Sequence, residues 1–173
     1  TSGDRVAAWM PNVPETVIAM LAAASVGATF SSTSPDFGVD GILDRFGQVS
    51  PTVLIAADGY VYGNRRHDRL DRLLDVVAAL PSLRAVVVHG ELEAEPDVSE
   101  VSRAVPVLTW PEALQSGSRA VASGRGPSLD QLYPFDTPLY ILYSSGTTGV
   151  PKCIVHRAGG VLIKHLVEQQ LHS

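Results

Sequence analysis

Short apolar runs alternate with amphipathic stretches along the first half of the chain. Residues 5–10 form a compact apolar run that predicts a buried strand, and residues 14–26 carry apolar side chains at helical spacing. Asn12 suits the N-cap of this helix, Glu15 its first turn and Gly27 its end. We expect its apolar side chains to form a stripe that faces the core; they are Val17, Ile18, Leu21 and Ala24.

The same alternation continues through the next three apolar runs. Residues 28–31, 53–56 and 85–88 each predict a short strand. Between them lie two sets of apolar residues at helical spacing, which are Val39, Ile42, Leu43 and Phe46, then Leu70, Leu73, Leu74 and Val77. Strands that alternate with helices over such short spans predict βαβ units, and therefore an α/β fold with a mostly parallel sheet.

The second half of the chain is less regular. Residues 116–128 are rich in Ser, Gly and Arg, which predicts a mobile connection. Residues 139–142 and 153–156 predict two more strands, and residues 161–172 predict a helix. Five acidic residues lie within residues 91–100, where we expect solvated surface because neither histidines nor the glycine of a calcium loop accompany them.

Composition narrows the class of protein. A chain of 173 residues with 45% apolar side chains is long enough for one domain with a core, and its net charge of −5 provides no basic surface for nucleic acid or an anionic membrane. The single cysteine, Cys153, excludes an internal disulfide, and we expect it to be a small buried hydrophobe. No stretch is long and apolar enough to span a bilayer, and no signal-peptide pattern begins the chain, so we expect a cytoplasmic protein.

Residues 143–152 read Tyr-Ser-Ser-Gly-Thr-Thr-Gly-Val-Pro-Lys and follow directly on an apolar strand. The two glycines allow backbone conformations in which N–H groups turn towards an anion. The four hydroxyl side chains supply short donors, and Lys152 supplies a mobile positive charge. This combination is typical of a phosphate cradle.

The loop differs from a P-loop of the Walker type, which places Gly-Lys-Ser/Thr at the start of a helix. Here Lys152 follows a proline and precedes a strand-like run, so we expect the loop to connect two strands. A hairpin that merely turns the chain is the alternative, but the order and composition of the whole segment favour phosphate binding.

Residues 143–152 also resemble the phosphate-binding signature of the adenylate-forming enzymes, which include acyl-CoA synthetases, luciferases and the adenylation domains of peptide synthetases. The resemblance implies that this loop holds the β- and γ-phosphates of ATP while a carboxylate attacks the α-phosphate. The residues that inherit this role by resemblance are Ser144, Ser145, Gly146, Thr147, Thr148, Gly149 and Lys152. ATP, Mg²⁺ and coenzyme A are the implied cofactors, and a small carboxylate is the implied substrate.

The resemblance reaches the beginning of the chain. Gly-Asp-Arg-Val-Ala at residues 3–7, Asn-Val-Pro-Glu at residues 12–15 and Ala-Met-Leu-Ala at residues 19–22 are similar to the N-terminal part of acyl-CoA synthetases. The family's adenine- and ribose-binding segments and the adenylation lysine of its C-terminal domain have no counterpart here. We therefore expect residues 1–173 to be part of an N-terminal AMP-binding domain that is inactive alone, and the catalytic residues stay unassigned.

Other segments indicate the acyl group. Thr-Ser-Pro-Asp-Phe-Gly at residues 33–38, Leu-Asp-Arg-Phe at residues 43–46 and Ile-Val-His at residues 154–156 resemble acetoacetyl-CoA synthetases more than acetyl-CoA synthetases. The resemblance implies that acetoacetate is converted through an acyl adenylate to its CoA thioester. A synthetase for acetate or another short-chain acid is one alternative, and a non-catalytic anion-binding module is another.

Two further sites rest on the same resemblance. In relatives of acetyl-CoA synthetase, an arginine in a Tyr-x-Gly-x-Arg region contacts the nucleotide phosphates of CoA, which makes Arg65 and Arg66 candidates. The alternative is a solvated loop and helix start where the arginines of this segment pair with Asp68, Asp71 and Asp75; these arginines are Arg65, Arg66, Arg69 and Arg72. His156 matches a position near the acyl pocket that many family members fill with histidine, and a hydrogen-bonded structural histidine is the alternative.

Overall fold

A computed structural model describes residues 1–128, 130–145 and 149–172 of the chain. Its main sheet has seven strands in the order β7-β6-β3-β1-β2-β8-β9, and every neighbouring pair is parallel except β8 with β9. These strands are β1 (Arg5–Trp9), β2 (Thr29–Thr33), β3 (Val53–Ala57), β6 (Ala85–His89), β7 (Val107–Thr109), β8 (Pro138–Ser144) and β9 (Lys152–Arg157). The predicted α/β fold with a mostly parallel sheet is confirmed.

The helices cover both faces of this sheet. They are α1 (Pro14–Ser25), α2 (Val39–Val49), α3 (Leu70–Ala79), α4 (Ser99–Ser102), α5 (Trp110–Ala122) and α6 (Ala158–His172). On one face, α2 and α3 bury Ile42, Phe46, Leu73 and Val76 against the strands. On the other face, α1 contributes Ala19 and Ala23, and Trp110 of α5 packs against the same cluster.

The connections that leave β1 and β3 run on opposite faces of the sheet. The chain passes from β1 through α1 to β2 on one side, and from β3 through α3 to β6 on the other. The crevice between the carboxyl ends of β1 and β3 is therefore a topological switch point, which is where open α/β sheets commonly bind ligands.

The predicted core stripe of α1 is wrong. Val17 and Leu21 are 49% and 59% exposed, Ile18 is also exposed, and the buried residues of the helix are Ala19 and Ala23. Two alanines let the helix approach the sheet closely, so the larger side chains point away from it. The predicted N-cap is also different, because Val13 occupies that position without a side-chain hydrogen bond.

Two other predictions need correction, and one pair of strands was not predicted. Residues 116–122 belong to α5, which begins at a Thr109–Glu112 capping box, so the predicted mobile connection is half helix. Residues 59–68 form an antiparallel hairpin of β4 (Gly59–Tyr62) and β5 (Arg65–Asp68), which the sequence did not predict. Cys153 is exposed and not a buried hydrophobe, and partial burial raises its pKa, which disfavours the reactive thiolate.

The remaining predicted strands and helices occur close to their expected bounds, although α6 already begins at Ala158. Among the helices of the described residues, none has both the length and the apolar character needed to cross a membrane.

Candidate functional site

The predicted phosphate loop lies between two antiparallel strands, as expected. Strand β8 ends at Ser144, β9 begins at Lys152, and these two residues are the last registered pair of the ladder. Because β8 is parallel to β2, the loop leaves the sheet at the edge formed by the carboxyl ends of the parallel strands. The switch-point crevice opens at this same edge.

The described part of the loop is open to solvent. Ser145, Gly149 and Lys152 are exposed and Ser144 is half-buried. Gly149 has a φ of 103°, a conformation that favours glycine, and nothing lies within 4 Å of the position that a Cβ would take. Within the described ranges, the side chain of Lys152 has no hydrogen-bond or ion-pair partner. The other predicted loop residues, Gly146, Thr147 and Thr148, lie outside the described residues.

The β8 side of the loop is anchored in the protein interior by Tyr143. Its hydroxyl is 2.8 Å from the Oγ of Ser31 on β2, and that Oγ lies 2.7 Å from the carbonyl oxygen of Ile141. A serine has one hydroxyl hydrogen and a carbonyl can only accept, so Ser31 donates to Ile141 and Tyr143 donates to Ser31. Burial raises the pKa of Tyr143 to about 12, which extends the pH range in which this donor stays protonated.

The β9 side of the loop is held by α2. Gln48 donates from Nε2 to the carbonyl oxygen of Pro151 at 2.9 Å, directly before Lys152. One turn earlier on the same helix, Arg45 lies with its guanidinium carbon 4.0 Å from the centre of the Phe37 ring and 5.7 Å from that of Tyr143. Sequence reasoning missed these supporting residues; the only local signal for them was a pair of polar side chains three residues apart on α2.

The candidate arginines lie on the β4–β5 hairpin that follows β3. Arg66 forms an ion pair with Glu93 and donates to the carbonyl oxygen of Leu92 at 2.9 Å. Arg65 is exposed, and the described residues offer its side chain neither a hydrogen bond nor an ion pair. Both arginines are solvated, as in the alternative interpretation, but among the described residues neither forms an ion pair with Asp68, Asp71 or Asp75.

Arg69, in the same basic segment, has a structural position. It is 8% exposed and donates from Nε to the carbonyl oxygen of Pro35 at 2.9 Å and from a terminal nitrogen to the hydroxyl of Tyr60 at 2.9 Å. These bonds tie the start of α3 to the loop after β2 and to the hairpin. The hairpin therefore has a fixed orientation, and Arg65 projects from a supported element.

A cavity of about 630 Å³ occupies the switch-point edge of the sheet. Its walls come from the loops after β1, β2 and β6 and from strand β4; they include Asn12, Val13, Pro35, Asp36, Tyr62 and Glu91. Asp58, which is 1% exposed, holds one wall by accepting backbone N–H groups of residues 91, 92 and 93 at 2.8, 2.9 and 2.9 Å. Sequence reasoning assigned no role to this aspartate.

His156 lies at the other end of the β8–β9 ladder. It pairs with Tyr140, four residues along β9 from Lys152, which is a separation of about 14 Å along the strand. It is half-buried and lines a groove between the hairpin and α6 together with Lys164 and His165. The structure therefore does not bring His156 next to the phosphate loop.

The described residues contain no group of three or more His, Cys, Asp or Glu side chains that could hold a metal ion. The acidic residues 91–100 are largely exposed, as predicted.

Comparisons with known proteins agree with this geometry. The model of the AMP-binding enzyme family matches residues 1–171. The chain is 46% identical over 173 residues to an acetoacetyl-CoA synthetase of Xenopus tropicalis, which is 99% of this chain and 25% of that protein. It is 47% identical over 171 residues to an acetoacetyl-coenzyme A synthetase of Rhizobium meliloti (strain 1021), again 99% of this chain and 25% of that protein.

More distant relatives and a solved structure extend the comparison. A malonamoyl-CoA synthetase of Penicillium aethiopicum is 40% identical over 176 residues, covering 98% of this chain and 23% of that protein. The solved acetoacetyl-CoA synthetase from Streptomyces lividans superposes with a TM-score of 0.81 and 44% identity, over 99% of this chain and 24% of that chain. The chain thus spans about a quarter of the length of these relatives. With a family match over nearly its whole length, the chain belongs to the AMP-binding enzymes.

Proposed function

We propose that residues 1–173 are part of the N-terminal AMP-binding domain of a longer enzyme that activates acetoacetate with ATP and transfers it to coenzyme A. The observation that supports the proposal is the loop between β8 and β9, which leaves an AMP-binding fold at the carboxyl edge of its parallel strands and carries Lys152, whose side chain has no partner among the described residues. These residues alone would not complete the reaction, because they span about a quarter of the length of the relatives.

In the proposed reaction, an oxygen of the carboxylate attacks the α-phosphorus of ATP, the bond to the β-phosphate breaks and pyrophosphate leaves. The CoA thiolate then attacks the acyl carbon and AMP leaves. Lys152 and the loop N–H groups would stabilise the charge that develops on pyrophosphate, because fixed donors at the site of developing charge favour the transition state. Lys152 is not assigned to proton transfer or to covalent catalysis.

Mg²⁺, when bound, would neutralise phosphate charge. The hydroxyl oxygens of Ser144 and Ser145 are hard donors of the kind that Mg²⁺ accepts, and phosphate oxygens would supply most of the remaining ligands.

For coenzyme A, we propose Arg65 as the contact to a nucleotide phosphate in preference to Arg66. Arg66 is already paired with Glu93, whereas Arg65 projects from the hairpin without a described partner. Arg65 is opposite Tyr62, which lines the cavity at the switch point. Strand β3 precedes the hairpin, and strand β8 precedes the phosphate loop. These two strands are three positions apart in the sheet, or about 14 Å, which leaves room for two separate phosphate sites.

Acetoacetate is the proposed substrate because acetoacetyl-CoA synthetases are among the most similar relatives. The chemistry of the malonamoyl-CoA synthetase supports the same class, since malonamate and acetoacetate both carry a carbonyl group at the third carbon. A site that donates a hydrogen bond to that carbonyl rejects butyrate, which leaves the donor unpaired. His156 stays a proposed neighbour of the acyl pocket, and a cytoplasmic location stays a prediction.

The test is carboxylate-dependent exchange of pyrophosphate with ATP in the full-length protein. Lys152→Ala should lower kcat/KM for ATP by about 10- to 100-fold, as expected for a lost interaction with an ionised phosphate, without unfolding the protein. Exchange at the wild-type rate would contradict the assignment of the loop. Comparison of kcat/KM for acetoacetate, acetate, propionate and butyrate tests the substrate separately, and equal or greater specificity for acetate would contradict it.

A further inference from the structure

One side chain that is far away in sequence contacts the β9 side of the phosphate loop. The paired ladder ends at Ser144 and Lys152, so Pro151 is the first residue on this side without strand pairing. Proline has no N–H, and its carbonyl oxygen is the only backbone group with which it can form a hydrogen bond. That carbonyl accepts a hydrogen bond from Gln48.

Gln48 is itself held in position. The same Nε2 atom lies 2.5 Å from the carbonyl oxygen of Asp44, one turn earlier on α2. An amide nitrogen carries two hydrogens, so one donates to the helix and the other to the loop. The neighbouring buried residues, Phe46 and Val49, fix α2 against the sheet. The Pro151 carbonyl is therefore attached, through one rigid amide group, to a helix that belongs to the core.

The carbonyl of Pro151 and the nitrogen of Lys152 share one planar peptide unit. Holding the oxygen fixes the orientation of that plane and hence the direction in which Lys152 leaves the backbone. We infer that Gln48 is a positioning residue, which orients Lys152 towards the pyrophosphate part of ATP without contacting ATP itself. The inference rests on the proposed function of the loop.

The test compares ATP kinetics of variants of the full-length protein. Gln48→Met keeps the length of the side chain and removes the donor, so it should raise the KM for ATP in pyrophosphate exchange about fivefold, the effect of one lost hydrogen bond. The KM for the carboxylate and the melting temperature should stay at the wild-type values. Asp40→Ala is the matched control, because Asp40 is an exposed residue on the same helix, eight positions before Gln48, and it should leave both KM values unchanged. Asp40 lies in the first turn of α2, where an acidic side chain stabilises the helix, so the control should lower the melting temperature slightly.

A second measurement distinguishes an effect of Gln48 on the orientation of Lys152 from an effect that is independent of Lys152. If Gln48 acts through Lys152, adding Gln48→Met to Lys152→Ala should raise the KM for ATP by much less than fivefold, because the group being oriented is gone. An unchanged KM in Gln48→Met overturns the inference, and so does an equal rise in the KM values of ATP and carboxylate. If Lys152→Ala itself has no effect, the proposed function of the loop fails; a loss in Lys152→Ala without one in Gln48→Met refutes only the positioning role.

Discussion

The hydrogen bond between Tyr143 and Ser31 provides a sharp test of how the β8 side of the loop is anchored. Tyr143→Phe removes one hydroxyl and leaves the ring in place, so no cavity is formed. Ser31 is 1% exposed and keeps its hydrogen bond to the Ile141 carbonyl, so no buried donor loses its partner. The expected cost in unfolding free energy is about 1 kcal/mol, which is the net contribution of a single hydrogen bond.

The pH dependence of this cost follows from the raised pKa. Tyr143 has an ordinary pKa of 10.0 and a folded-state pKa of about 12, so unfolding releases a proton between these values. The stabilisation that wild type gains over Tyr143→Phe should therefore be constant below about pH 10 and decrease as the pH rises from 10 to about 12. Its sign is opposite to that of a paired carboxylate, which loses its contribution on the acid side.

The assay is urea unfolding of the full-length wild type, Tyr143→Phe, Ser31→Ala and the double variant. The double-mutant cycle at neutral pH should give a coupling energy of about 1 kcal/mol between the two hydroxyls. A coupling energy of zero would show that the bond contributes nothing. A difference between wild type and Tyr143→Phe that stays constant through the alkaline range would contradict the argument from burial.

Four other variants test three separate parts of the structure. Arg65→Ala should raise the KM for CoA about tenfold and leave CoA-independent pyrophosphate exchange unchanged, whereas Arg66→Ala should change the KM for CoA much less; equal effects would contradict the preference for Arg65. Asp58→Ala should lower the unfolding free energy by about 3 kcal/mol, because three backbone N–H groups lose a buried acceptor, and a loss below about 1 kcal/mol in urea unfolding would argue against that role. Thr109→Ala should lower the stability of α5 by about 1 kcal/mol, which hydrogen exchange of its first-turn amides would measure; unchanged protection would show that the capping box is dispensable.

The repeating units of the fold were predictable because their signals are local. Strands β1, β3, β6 and β8 are largely apolar runs, and α2 and α3 carry their buried residues at helical spacing, so periodicity predicted each of them. The three-residue strand β7 was not predicted. The same reasoning failed for α1, where Val17 and Leu21 fit a helical stripe but are exposed. Periodicity shows that a helix has an apolar face, but the contact with the sheet was made by the small Ala19 and Ala23.

The errors around α5 and the hairpin have a different origin. Residues 116–122 contain serine and glycine, which weaken any helical pattern, yet Thr109 and Glu112 form the capping box that starts this helix. The Thr-x-x-Glu spacing with an intervening proline was present in the sequence, so this helix could have been found. The arginine-rich strand β5 offered no such signal, because its charged residues do not alternate with apolar ones. This segment is a strand because it pairs with β4.

The candidate site shows the same difference between features encoded by neighbouring residues and features that depend on distant contacts. The chemistry of the phosphate loop is contained in consecutive residues, so composition and order suffice to predict it. What orients the loop is contributed by residues about a hundred positions away: Gln48 is 103 positions from Pro151, and Ser31 is 112 from Tyr143. These contacts exist only because β2 is the neighbour of β8 in the sheet and α2 packs across their side of it. The sequence of the loop specifies which groups can bind phosphate, but the direction in which these groups point depends on the order of the strands in the sheet. Variants of Gln48 and Ser31 measure the contribution of this orientation, because they leave every group of the loop itself unchanged.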